Sequence, residues 1–197
     1  KRLLPEYPYI AMKRFLYGPK GGIVTFSKYP IEESSYVGFT ERGSLRNGSV
    51  IARVIRNGVL KTRIRNTPLV IYNMHLTPNL DVEYTDDNRF TKFATSQLEQ
   101  VAQMVLEDLS WKREVILTGD FNVPPESTPY NAVVRASVVT EVFEDDIQPT
   151  YHRTYLPRDK KAYKIDHIFI TGSSSVLTYR NATYILNEPV MRNGREI

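Results

Sequence analysis

Apolar side chains fall at Phe90, Phe93, Ala94, Leu98, Val101, Ala102, Val105 and Leu109. This three- and four-residue spacing gathers them on one stripe and predicts a helix over residues 88–109, with Asp86 or Asp87 as its N-cap. Before it the pattern changes. Residues 22–28 (GIVTFSK), 49–55 (SVIARVI) and 68–76 (PLVIYNMHL) are runs rich in β-branched residues between Gly, Pro and Asn, each of strand length. After the helix, residues 114–117 (EVIL) rise into Thr118-Gly119-Asp120-Phe121-Asn122, and Pro124-Pro125 stops any continuing strand. Residues 127–138 predict a short helix, residues 164–171 (KIDHIFIT) alternate as a strand, and residues 176–186 predict one more. Strands interleaved with helices, several of them sequence neighbours, predict an α/β or α+β fold around a mixed sheet.

No repeat, low-complexity tract or linker divides the 197 residues, so residues 1–197 are read as a single domain. No apolar run approaches the roughly 18 residues of a membrane span. Cysteine is absent, which excludes a disulfide framework and thiolate chemistry; any metal is held by oxygen or imidazole, which favours a hard ion such as Mg²⁺.

Charge is uneven. Residues 1–65 hold 13 Lys and Arg against 4 Asp and Glu, whereas residues 66–197 hold 13 against 18. The basic first third suits an anionic partner, a nucleic acid or a lipid headgroup surface; the plainer reading is of solvated cations on strand faces. At the C-terminal end Asn193-Gly194 gives a two-residue hairpin signal with three residues of returning strand, and Lys1-Arg2 opens the chain without an initiator Met. The natural chain is therefore expected to continue at both ends. The sequons at Asn47 and Asn181 are too common a pattern to imply secretion.

The sharpest chemical feature is Gly119-Asp120-Phe121-Asn122 behind an apolar strand. A carboxylate and a carboxamide two positions apart on extended chain project the same way, so both can reach one ligand. Asp120 can orient a nucleophilic water or hold Mg²⁺; Asn122 can donate to a phosphoryl oxygen. The competing reading is an Asx-type turn that only caps backbone N–H groups. His75 ends the strand of residues 68–76, where an imidazole can donate to a phosphate or a leaving group or be simply a hydrogen-bonding residue. Asp166, between Ile165 and His167, is expected to be partly buried and paired with a histidine. His167 points to the opposite face of its strand and is read as structural.

In this order, these residues resemble the endonuclease/exonuclease/phosphatase superfamily, deoxyribonuclease I-like phosphoester hydrolases. Gly119-Asp120-Phe121-Asn122 matches its most specific motif, Ile165-Asp166-His167-Ile168 looks like its aspartate strand, and Asn73-Met74-His75-Leu76 like its histidine strand. The resemblance runs from about residue 21 to residue 197. It implies a four-layer sandwich of two mixed sheets flanked by helices, with the site at one rim. It further implies that Asp120 activates water, Asn122 grips phosphate, His75 stabilises phosphoryl charge and Asp166 orients a catalytic histidine. One or two Mg²⁺ or Mn²⁺ ions would assist, with Asp120 and Asn122 among the ligands.

Two family features have no counterpart in these residues: a metal-binding glutamate in a Gln-Glu pair on an earlier strand, and a Ser-Asp-His motif on a later one. The domain is thus expected to be truncated, lacking its first strand or strands and its last. Losing a positioned acid or base alone costs about 10² to 10⁴ in rate, so these 197 residues are expected to be inactive or nearly so. Residues 81–89 are similar to the histidine-to-helix segment of neutral sphingomyelinases. The expected activity is a Mg²⁺-dependent phosphodiesterase, sphingomyelinase-like ahead of nuclease-like, acting as a monomer on a phospholipid headgroup or a nucleic acid, with peripheral membrane contact available to it. The alternative is a non-catalytic scaffold whose basic face binds nucleic acid or partners.

Overall fold

The computed structural model describes residues 5–16, 18–41, 56–137, 139–143, 145, 148–151, 156, 158–171, 191–192 and 195–196. Its centre is a six-stranded mixed sheet. The strands are β5 (Ile31–Gly38), β6 (Gly58–Ile64), β7 (Leu69–His75), β8 (Glu114–Asp120), β9 (Val139–Glu141) and β10 (Asp166–Thr171), in the spatial order β5-β6-β7-β8-β10-β9. Among the described residues only β7 and β8 run parallel. A parallel pair needs a crossover, and α1 (Arg89–Ser110) supplies it. The short α2 (Thr128–Ser137) follows β8. Smaller ladders join β1 (Tyr9–Ala11) to β4 (Thr25–Ser27) and β2 (Arg14–Phe15) to β3 (Gly18–Pro19). The hairpin signal is met by β11 (Met191–Arg192) pairing with β12 (Arg195–Glu196).

Strand alternation decides the layers. Val70, Tyr72 and Met74 of β7, Val115 and Leu117 of β8 and Phe169 of β10 are buried in one cluster with Ala94, Leu98, Val101 and Val105 of α1 and Val133 of α2. Each fully buried side chain of this kind contributes about 1.5–3 kcal/mol. Val59 of β6 belongs to this cluster, while its neighbour Leu60 points the other way and packs with Ala11 and Ile23. Helices, six-stranded sheet and the β1–β4 region are therefore successive layers of the expected sandwich. The helix end is anchored by Asp108, buried among Lys61, Tyr72 and Arg113, which lie 2.6–2.9 Å away.

Several expectations are revised. The N-cap of α1 is Asn88, whose side chain accepts from the backbone of Phe90 and Thr91; Asp86 and Asp87 lie in the preceding turn, closed by Asn88 N–H onto Thr85. Strands β5 and β6 went unrecognised. β5 is mostly exposed and polar and so shows no apolar alternation, whereas β6 buries Leu60, Thr62 and Ile64 and leaves Lys61 and Arg63 partly exposed, an alternation masked in the sequence by the polar Thr62 and by Val59 buried on the other face. The strand expected over residues 22–28 is confined to Thr25–Ser27. The strands expected over residues 49–55 and 176–186 and both sequons lie outside the described residues.

Candidate active site

Three polar residues stand in one row across β7, β8 and β10. His75 is in register with Asp120 across the parallel pair, and Asp120 with Asp166 across the antiparallel one. Met74, Leu117 and His167 point toward the helices, so His75, Asp120 and Asp166 share the opposite face. Gly119 permits the close approach. Its φ is +132°, and a Cβ there would lie 2.0 Å from the Met74 carbonyl oxygen.

His75 Nδ1 lies 3.0 Å from the Gly21 carbonyl oxygen. A carbonyl only accepts, so Nδ1 carries the proton and Nε2 is left facing Asp120 Oδ2 at 3.9 Å. Asp120 Oδ1 accepts from the backbone of Asn122 at 2.8 Å, so the Asx turn weighed as the plainer reading is present. It engages one carboxylate oxygen and leaves the other toward His75. Burial first, and then the Asp166 carboxylate, push the Asp120 carboxyl up to about 6, against the opposing pull of His75.

Asn122 lies beyond the end of β8 with φ 51°, so the alternation of an extended chain does not orient it. The left-handed turn sends its side chain across to β7, where Nδ2 donates to the Leu76 carbonyl at 3.1 Å. One amide proton and Oδ1 are left for other partners. Asp166 is exposed rather than partly buried, because β10 starts there and the site face of the strand is open. Its backbone N–H donates to Thr150 Oγ1.

His75, Asp120 and Asn122 open onto a cleft of about 400 Å³, which also includes Tyr84, Tyr151, Lys160 and Tyr163. Tyr84 falls within residues 81–89, whereas no sequence pattern marks Tyr151, Lys160 or Tyr163. Tyr84 meets Tyr163 edge-on at 5.0 Å, and burial, Tyr163 and Asp120 push its hydroxyl up to about 12, so it is a hydrogen-bond donor at neutral pH. Lys160 is held by the Asp81 carbonyl and the Glu83 carboxylate.

Oxygen donors such as Asp120 and Asn122 suit Mg²⁺. Among the described residues, however, no three His, Asp or Glu side chains gather closely enough to hold an ion. The expected pair is two ligands, not a complete set, for a cation that takes about six.

This arrangement is the deoxyribonuclease I-like α/β fold. Beta toxin from Staphylococcus aureus, solved with bound magnesium ions, superposes with a TM-score of 0.61 at 18% identity over 86% of this chain and 64% of its own. Sphingomyelinase C from Streptomyces griseocarneus does so with a TM-score of 0.60 at 17% identity over the same shares. Truncated TDP2 from Caenorhabditis elegans has a TM-score of 0.52 at 17% identity over 76% of this chain and 56% of its own. The chain thus spans less than two thirds of these structures. No curated protein sequence matches it significantly. The sequence pattern of the Endonuclease/Exonuclease/phosphatase family covers residues 2–181, and the chain belongs to that family.

Proposed function

We propose that the protein is a metal-dependent phosphodiesterase built as one domain, with His75, Asp120, Asn122 and Asp166 as its catalytic residues. The observation that carries this reading is the row of His75, Asp120 and Asp166 in register on three adjacent strands, with Asn122 turned back onto the same rim.

Asp120, with its carboxyl near 6, is ionised at neutral pH yet more basic than an ordinary carboxylate, which suits it to take a proton from an attacking water. Asp166 sustains that basicity by charge repulsion. His75, fixed by Gly21, offers Nε2 to a phosphoryl oxygen when protonated, and Asn122 offers its second amide proton. Tyr84 adds a neutral donor to the same cleft. Mg²⁺ or Mn²⁺, when bound, supplies Lewis-acid polarisation of the phosphoryl group. With the family's metal-binding glutamate and Ser-Asp-His motif unmatched in the sequence, the 197 residues alone are expected to turn over little or nothing.

The sphingomyelinase-like subclass draws support from the likeness to sphingomyelinase C, and from the acidic residues 81–89 leading into α1. Exposed Leu16, Phe26 and Tyr29, near Lys13, Arg14 and Lys28 in sequence, suit peripheral contact with a lipid surface.

The test is hydrolysis by the full gene product, with and without Mg²⁺, of bis(4-nitrophenyl) phosphate, sphingomyelin vesicles and duplex DNA. Cleavage abolished by a chelator and by D120N supports the reading. Failure on all three substrates with Mg²⁺ present overturns it in favour of the scaffold. Preference for DNA, with steep weakening as salt rises, moves the substrate to nucleic acid.

A further inference from the structure

A second polar cluster lies beneath the active-site loop, on the helix side of the sheet. His167 is fully enclosed there, packed edge-on against Phe121 at 5.2 Å and stacked over Phe169 at 5.8 Å. Its Nδ1 lies 2.8 Å from Glu141 Oε1 and its Nε2 lies 2.9 Å from the Val123 carbonyl oxygen.

Both partners are acceptors. The carbonyl has no proton to give, and Glu141 is ionised. Burial pushes the Glu141 carboxyl up, but hydrogen bonds from His167, Lys164 and Tyr130 outweigh it and hold the group below the usual carboxylate range. Lys164 Nζ stands 2.6 Å from Oε1, and the Tyr130 hydroxyl donates to Oε2. Each ring nitrogen of His167 must then be a donor, which only the imidazolium allows.

The Val123 carbonyl is the far end of the loop that carries Asn122. The near end is fixed by Phe121 N–H donating to the Ile165 carbonyl at 2.9 Å. Asn122 sits between these two tethers with a φ of 51°, a conformation an unrestrained asparagine visits as a minority.

We propose that His167 is a positioning residue: held as an imidazolium by Glu141, it clamps the Val123 carbonyl and so holds the Asn122 carboxamide at the active-site rim. Glu141 fixes the charge of the ring, and Lys164 and Tyr130 fix Glu141. A neutral ring would place a lone pair against either the carbonyl or the carboxylate, and one tether would loosen. The inference rests on the proposed role of Asn122 only for its effect on rate.

The ring ¹⁵N signals of His167 in the 197-residue chain at pH 7 test the charge directly. Protons on both nitrogens are expected, and a neutral tautomer overturns the proposal. In His167→Phe, which keeps a flat ring among Phe121, Tyr130 and Phe169, the backbone and side-chain amide signals of Asn122 are expected to move while those of Asn88 at the N-cap of α1 stay. Unmoved Asn122 signals overturn the proposal. If this variant does not fold, Glu141→Gln is read in the same way. In the full gene product, His167→Phe is expected to lower kcat by roughly 10²-fold with KM little changed; a loss that only tracks the folded fraction overturns the clamp. A protonated ring and a responsive Asn122, with a full gene product that hydrolyses nothing, would keep the clamp and sink the phosphodiesterase reading.

Discussion

His75 and Asp120 face each other in register on the parallel strands β7 and β8, with the imidazole Nε2 3.9 Å from the carboxylate Oδ2. On the other side Asp120 is in register with Asp166. One carboxylate thus stands between an imidazole and a like charge, and its proton affinity answers to both.

Replacing Asp166 with Asn removes the like charge. The Asp120 carboxyl, near 6 in the native chain, is expected to titrate lower, because its ionised form is no longer repelled. A ¹³C-detected NMR titration of the Asp120 carboxyl carbon in the two proteins measures this. An unchanged or higher midpoint would show that Asp166 does not act on Asp120.

Stability should carry the same imprint. The folded chain holds the Asp120 proton more tightly than the unfolded chain, where an aspartate titrates near ~3.9. The group therefore favours folding most at low pH and loses that contribution as pH rises from about 4 through 6. D120N, which can still accept from Asn122 N–H, is expected to raise Tm at pH 8, to leave it little changed at pH 3.5 and, in the full gene product, to abolish hydrolysis. Thermal melts at the two pH values check this; equal shifts at both would contradict it.

Gly119→Ala puts a methyl group within 2.0 Å of the Met74 carbonyl at a φ of +132°. Neither β7 nor β8 can move aside without breaking their ladder. A loss of about 2–3 kcal/mol is expected in denaturant melts, together with lost protection of the amides in β7 and β8. A variant as stable as the parent would mean that the strands pair differently.

Asp108 holds the end of α1 to β6 and β7. Its burial raises the carboxyl, but the hydrogen bonds from Lys61, Tyr72 and Arg113 prevail and keep it below the usual range. Asp108→Ala leaves the Tyr72 hydroxyl and two partly exposed cations, Lys61 and Arg113, without their shared acceptor and is expected to cost about 1–3 kcal/mol. Because the folded-state affinity for the proton is depressed, the native contribution is present above the ordinary carboxylate range and fades as pH falls below it. Melts of parent and variant should therefore converge in acid.

Helix α1, strands β7, β8 and β10, and the turn at Gly119-Asp120-Phe121-Asn122 were readable from periodicity and turn chemistry, because each depends on a few neighbouring residues. β5 and β6 were not. The first is mostly polar and exposed, and in the second the inward positions are Leu60, Thr62 and Ile64, so a polar residue at the middle inward position and a buried Val59 on the other face blur the alternation. The site is divided in the same way. His75, Asp120, Asn122 and Asp166 were recognisable by residue type at a strand end, whereas Tyr84, Tyr163 and Lys160 reach the cleft from loops and carry no such mark.

The sequence by itself determined which polar groups end the strands, because side-chain direction in an extended chain has a period of two. It went astray at Asn122, where the chain leaves the extended region, and at Asp166, whose exposure follows from what covers the sheet rather than from its neighbours in sequence. Tertiary structure alone decided that His75, Asp120 and Asp166 form one row, that Asp120 is as basic as it is, and that His167 reaches Glu141 and Val123. Register between strands and the loss of water around a group come from segments far apart in the chain, and no local pattern contains them.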